Sequence, residues 1–404
     1  MPAEEESANV EPSDGLLQHD DDFSLVLGGP LYQFYLRTRL STPPLGLVRR
    51  RVVIISLLCW LPLLLLSLAA GHALGGVSVP FLLDVEVHIR FLVALPLLIV
   101  ADLIVNQRMI RVVRQFLKRD IVAAENRTRF AQIVSSTMRL RDSALFELVL
   151  LVLCFTVGHW VWREQFALRT TTWYEMNFAG VTHLTAAGYW YEFASLPIFR
   201  FILFRWYYRL FLWYQFLWRV RGLPLHLNLY HPDRAGGLGF LAASIFAFAP
   251  VLLAHTVFLA GSIGDRILHT GATVLDFKME ILGSLLVLLL LVLTPLSFFV
   301  VHLERAQRKA IMEFGTLSSR YVDDFRHKWV QQTSEAEPIL GTPDIQSLAD
   351  LGNAYKVISE IRIFPVGKQA VIRLGALLIL PLLPLTLTMV PLKEIVDWII
   401  KLAF

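Results

Sequence analysis

The residues best equipped for chemistry in this chain form one short run, His231-Pro232-Asp233-Arg234-Ala235-Gly236-Gly237-Leu238-Gly239-Phe240. Pro232 fixes its own backbone, and Asp233 stands where it can cap a following helix. Gly236, Gly237 and Gly239 permit a left-handed backbone or a close main-chain approach. Free amides at a helix start, beside the Arg234 cation, would seat a phosphate or carboxylate. His231 titrates near neutrality and would serve as a ligand or proton carrier. The plainer reading is a tight turn whose glycines let helices pack closely, with Arg234 facing lipid phosphates.

A second set of polar residues lies inside strongly apolar runs: Asp102, Glu147, Arg200, Arg205 and Arg209. At about 1.5 Å per helical residue, Arg205 falls near the middle of its run and Arg209 about 6 Å further in. Asp102 and Glu147 fall about 9 Å inside the midpoints of theirs. Acid–arginine pairing among these four is expected. Arg90, His159, Arg200 and His255 share an outer level, which is positive unless Asp84, Glu86 or Glu192 reaches it. Ionisable groups are costly in a membrane and mark function by default. The functional reading is an arginine-lined path or pocket for an anion. The structural reading is snorkelling arginines plus one ion pair. Aromatic residues crowd the same run as the arginines, from Phe199 to Trp218, and offer their faces to Arg205 and Arg209.

Metal and cofactor chemistry find little support. His72, His88, His159, His183, His255 and His269 gather toward one side, yet no pair shares a helix face at ligand spacing. His159 and His255 are the best pair for a bis-histidine haem, and none is expected. Cys59 and Cys154 sit in apolar runs as small packing residues.

The elements that must hold these groups are seven apolar stretches, at 52–70, 87–106, 144–162, 193–218, 238–261, 281–302 and 370–391. A bilayer core of about 30 Å needs about 20 apolar residues as helix. Backbone amides in lipid must be paired within the segment, so the stretches read as helices. The fold class is all-α: a polytopic transmembrane bundle of about seven spans, with amphipathic helices on the cytoplasmic side. At 55% hydrophobic and 17% charged residues, the chain is too apolar for a water-soluble protein.

Charge assigns the sides. Arg49-Arg50-Arg51 precedes the first span and holds the N-terminus inside. Basic residues fill 107–143 and 303–369, whereas the loops 71–86, 163–192 and 262–280 carry few. The fourth stretch is kept as a span despite its arginines, because otherwise 303–369 would face outward. Residues 1–22 form an acidic tail expected to be disordered, and 23–48 an interfacial segment. Spans one to six occupy 49–302, and a cytoplasmic helical segment occupies 303–369. Within that segment, 305–330 and a helix begun by Pro343 each carry an apolar face. Residues 370–404 hold a last span, or a re-entrant segment broken by Pro381, Pro384 and Pro391, and an amphipathic C-terminal helix. No internal repeat stands out.

The run His231 to Phe240, together with Asp344-Ile345-Gln346-Ser347-Leu348-Ala349-Asp350-Leu351 and Leu380-Pro381-Leu382-Leu383-Pro384-Leu385, resembles a group of uncharacterised bacterial multispanning inner-membrane proteins. The resemblance implies a bacterial cytoplasmic membrane location and transfers no catalytic residue. From the residues, the expected function is transport or conduction of a small anionic solute. The alternatives are a scaffold or sensor binding a partner protein, and an intramembrane enzyme acting on a phosphate-bearing lipid. The expected partners are the bilayer and its anionic lipids, with a second copy or another protein also open. Nucleic acid is not among them, since the basic residues flank spans as insertion requires.

Overall fold

The computed structural model describes residues 23–156, 171–178, 181–331 and 342–389. The acidic tail, His159, Arg163, Arg169, Pro338, Pro391 and the expected C-terminal helix lie outside the described residues. Among the described residues the fold is an all-α bundle with one small hairpin. Its helices are α1 Gly29–Arg37, α2 Val48–Ala69, α3 Val85–Lys118, α4 Arg127–Arg141 and α5 Ala144–Phe155. Strand β1 Glu175–Phe178 pairs antiparallel with β2 Val181–Leu184. Then come α6 (Ala186–Trp190, a π-helical turn Tyr191–Ser195 and Leu196–Val220), α7 Leu238–Thr270, α8 Val274–Gln331, α9 Pro343–Ser359 and α10 Lys368–Thr386.

Five of these, α2, α3, α7, α8 and α10, are long and apolar enough to cross a membrane. Half or more of the apolar window of α3 and α7 is buried, against 28%, 28% and 22% for α2, α8 and α10. Thus α3 and α7 form the centre, and the other three turn broad leucine faces outward. Leu57, Leu61, Leu65 and Leu68 of α2, and Leu282, Leu286 and Leu290 of α8, are exposed in this way. Large contiguous apolar surface of this kind is unsuited to water and suited to lipid. The centre is tight. A methyl group on Gly261 of α7 would lie 3.0 Å from the Ile89 side chain of α3.

A repeat absent from the letter pattern appears in the backbone. Helix α3 begins with a side-chain cap, Asp84 accepting from Val87 N, then one α-turn, a π-turn at Arg90–Ala94, and Leu95-Pro96. Helix α6 begins with Thr185 accepting from Gly188 N, one α-turn, a π-turn at Tyr191–Ser195, and Leu196-Pro197. In both, the Leu-Pro step directly follows the π-turn, where the α-helical hydrogen-bond pattern is already interrupted. The first residues of the two π-turns touch, since Arg90 donates to the Tyr191 hydroxyl.

Loop contacts fix the ends of the bundle. At one end Val79 bridges Thr172, and Val85 N donates to Asp265 Oδ1. At the other, His226 N donates to Ile121 O, and Arg234 pairs with Glu360. Helix α6 starts at the first end and finishes at the second, so it runs the depth of the bundle.

Two expectations change in detail. The helix expected separately at 305–330 is continuous with the apolar stretch before it, through a 3-10 turn at Thr294–Phe299 containing Pro295. The rod α8 is therefore 58 residues long, with α9 folded back along it through Tyr321, Lys328 and Trp329, which all reach Asp344. The segment 23–48 folds into the bundle end, with Phe23, Leu25 and Val26 buried.

Candidate functional site

Two layers of buried charge cross the bundle. The layer nearer the Ile121–His226 end, the inner one in the expected orientation, is built by α2, α3, α5 and α6 and closed by α1. Arg209 Nη1 donates to Asp102 Oδ1 at 2.6 Å. The other Asp102 oxygen lies 3.6 Å from Arg51 Nη1. Arg205 Nη2 lies 3.2 Å from Glu147 Oε1, and Leu31 N at the start of α1 donates to Glu147 Oε2 at 2.8 Å. All five ionisable groups are less than a tenth exposed. The expected meeting of Asp102, Glu147, Arg205 and Arg209 therefore occurs in the structure. Three cations face two carboxylates, which leaves the layer with a surplus positive charge. Aromatic rings help to carry it. Arg209 lies 4.4 Å from the Trp206 ring centre, and Arg51 lies 5.4 Å from that of Tyr35.

Arg200 stands apart from this layer, with Arg90, at the level expected for it. It lies toward the opposite end, because the helix between Arg200 and Arg209 rises about 13 Å. There Arg90 donates to Glu86 and to Tyr191, and Arg200 faces Tyr191, Arg90 and Glu192. Trp173 Nε1 donates to Asp84 Oδ2 at 2.8 Å, and Asp265 Oδ1 lies 3.5 Å from His269 Nδ1. Carboxylates thus reach the outer group. His255 is engaged within its own surroundings, by Tyr207 Oη and Val251 O, both at 2.7 Å. Leu95 and Leu98 of α3 and Ile202 of α6, which fall between the two levels in sequence, are buried. Arg90 and Asp102 stand about 18 Å apart along α3.

The glycine loop is built around one carboxylate. Asp233 Oδ1 accepts from Ala235 N at 2.9 Å and Gly237 N at 3.1 Å, and Oδ2 accepts from Gly239 N at 2.9 Å. Arg119 lies 3.4 Å from Oδ2 and His231 Nδ1 3.1 Å from Oδ1. The amides expected to hold an external anion are thus filled by the loop's own aspartate. Burial pushes the Asp233 carboxyl up, but the three amides and His231 outweigh it and hold it below the ordinary range. Gly236 and Gly237 adopt φ of 62° and 90°, where a side chain is strained. Arg234, itself at φ 51°, pairs with Glu360 at 3.0 Å, and Arg362 donates to the Asp233 and Arg234 carbonyls. The loop clamps the turn that leads into α10.

A cavity of about 390 Å³ opens beside the inner layer, between Gly28, Gly29 and Tyr32 on one side and Arg141 and Asp142 on the other. A methyl group on Gly29 would lie 2.8 Å from Glu147 Oε1, and its φ of 81° disfavours any side chain there. Among the described residues no cluster of His, Cys, Asp and Glu is arranged for a metal ion.

Arg51 and Tyr35 belong to the inner layer and escaped the sequence reading. In sequence Arg51 stands beside Arg49 and Arg50 and reads as a side-determining charge. A signal existed: Arg51, Ile55, Cys59, Leu63 and Ser67 recur every four residues, and all are buried. Tyr35 carries no such signal, since only the packing of α1 brings it there. No protein-family model, curated protein or solved structure matches this chain.

Proposed function

We propose that this chain is a seven-span carrier of a small anionic solute, in a bacterial cytoplasmic membrane with its N-terminus inside. The observation that carries the reading is the inner layer, where three buried arginines meet two buried carboxylates. Buried charge of one sign in excess is costly and favours a counter-ion. The apolar residues between the two layers favour a carrier over an open channel. The π-turns of α3 and α6, adjoining the outer layer, are backbone irregularities of the kind enriched at functional sites. The side assignment rests on charge: the loops at the inner end carry the basic residues.

Flux into phosphatidylcholine vesicles containing purified protein tests this, with chloride, nitrate, acetate and phosphate as probes. Saturable uptake of at least one probe above protein-free vesicles is expected. The double change Arg205→Met with Glu147→Met removes a pair rather than one partner, so the fold should survive while uptake falls. Absence of uptake for all four probes would remove the carrier reading.

A second reading, a partner-binding scaffold, draws on α8. Its inner part exposes Met312, Leu317 and Val330, at 68%, 53% and 70%. Co-purification of a defined partner, lost on polar substitution there and unaccompanied by flux, would favour it. The lipid-phosphate enzyme is less supported, because Asp233 already occupies the loop amides.

A further inference from the structure

We propose that Arg51, roofed by Tyr35, forms the inner seat of the solute, and that the group it binds is a singly charged planar oxyanion, a carboxylate or nitrate. The inference rests on the carrier reading and adds the site and ligand class. Arg51 is 0% exposed, and none of its three guanidinium nitrogens has a hydrogen-bond partner among the described residues. Its nearest anion, Asp102 Oδ2, lies at 3.6 Å, beyond good hydrogen-bond length. Asp102 is committed elsewhere, since Oδ1 holds Arg209 at 2.6 Å. An arginine does not shed its proton to escape this situation. Its five N–H groups therefore present an unmet demand for an acceptor, in a place sealed from solvent.

The surroundings narrow the ligand. The layer carries one positive charge more than it has carboxylates, so a single negative charge balances it. A dianion would overshoot and would lose a larger hydration energy. A guanidinium offers two parallel N–H bonds in one plane, which match the two oxygens of a carboxylate or nitrate. A spherical halide gains no such match. Tyr35 limits the space from the cytoplasmic side. Its ring lies over Arg51, and its phenol lies in the field of Asp102, Arg205, Arg51 and Arg209. Helix α1, which carries Tyr35, is tied to the layer by Leu31 N on Glu147. The cavity at Gly28 and Gly29 brings solvent to the other side of that tie.

The test is ligand-dependent thermal unfolding and calorimetric titration of the full chain in phosphatidylcholine nanodiscs, at constant ionic strength. Sodium nitrate, acetate, chloride and sulfate are the probes. Nitrate and acetate should stabilise saturably, with chloride at least tenfold weaker and sulfate without a saturable effect. Arg51→Met should weaken nitrate and acetate at least tenfold. Should that variant fail to fold, Arg51→Lys serves: it should bind, but with the preference for planar oxyanions over chloride lost. No saturable binding to the wild type, or unchanged binding in the Arg51 variants, overturns the proposal. Repeating the titration with phosphatidylserine in the discs separates two sources of the carboxylate. Competition would assign the seat to a lipid headgroup and overturn the solute reading. Nitrate binding without flux would keep the seat and remove the carrier. Flux undiminished by Arg51→Met would keep the carrier and remove the seat.

Discussion

Single residues divide here into those that hold a loop together and those that balance charge. Asp233 is of the first kind. Asp233→Ala leaves three amides without their acceptor and should cost about 1–3 kcal/mol. Arg234→Gly should be neutral or mildly stabilising, since it relieves a positive φ and removes only an exposed pair worth about 0–1 kcal/mol. Chemical denaturation of the two variants distinguishes them, and equal losses would contradict this account. The pH dependence follows from the depressed Asp233 carboxyl. Its contribution is full above the ordinary value of 3.8 and is lost as the pH falls through the lower folded value. Hydrogen exchange at Gly237 and Gly239 should stay protected from about pH 7 to 5 and open only in stronger acid. Asp102 is of the second kind. Asp102→Asn strands Arg209 and Arg51 and should cost about 3–5 kcal/mol. Unfolding in detergent measures this, and a loss below about 1 kcal/mol would mean that the layer is hydrated from within.

At the scale of elements, the paired entry of α3 and α6 governs how the helices meet. Each helix needs a capped first turn because its outer end is packed under a neighbouring loop. A methyl group on Gly188 would lie 2.1 Å from the Tyr174 carbonyl oxygen, a backbone atom that cannot step aside. Gly188→Ala should therefore lower expression and thermal stability more than Gly283→Ala, where nothing lies within 4 Å. Equal stability of the two variants would show that the 171–178 turn does not rest on α6. The repeat was invisible in the letters because the two copies share little beyond a cap, a Leu-Pro step and a backbone bulge. The side chains differ: Arg90 opens one π-turn and Tyr191 the other. A π-turn has no residue signature of its own, so packing alone reveals it.

For the molecule as a whole, loops meet at each end among the described residues: Val79 bridges Thr172 at one, and His226 N donates to Ile121 O at the other. Under the proposed topology, a cysteine at position 175 should react with an impermeant thiol reagent applied from outside, and one at 125 should not. Labelling in whole cells against inverted vesicles checks this, with Cys59 and Cys154 buried in either case. The reverse pattern would invert every side assignment. The all-α class was legible from sequence alone, because lipid leaves the backbone no other way to satisfy its amides over such apolar lengths. So was the pairing of Asp102 and Glu147 with Arg205 and Arg209, since a helix converts position into depth. Depth, however, says nothing about rotation or about what a distant segment brings. Only the tertiary structure brought Arg51 into the inner layer, filled the loop amides with Asp233, and carried α1 under the bundle so that Tyr35 covers Arg51. Those outcomes depend on contacts between residues far apart in the chain, and no local periodicity encodes them.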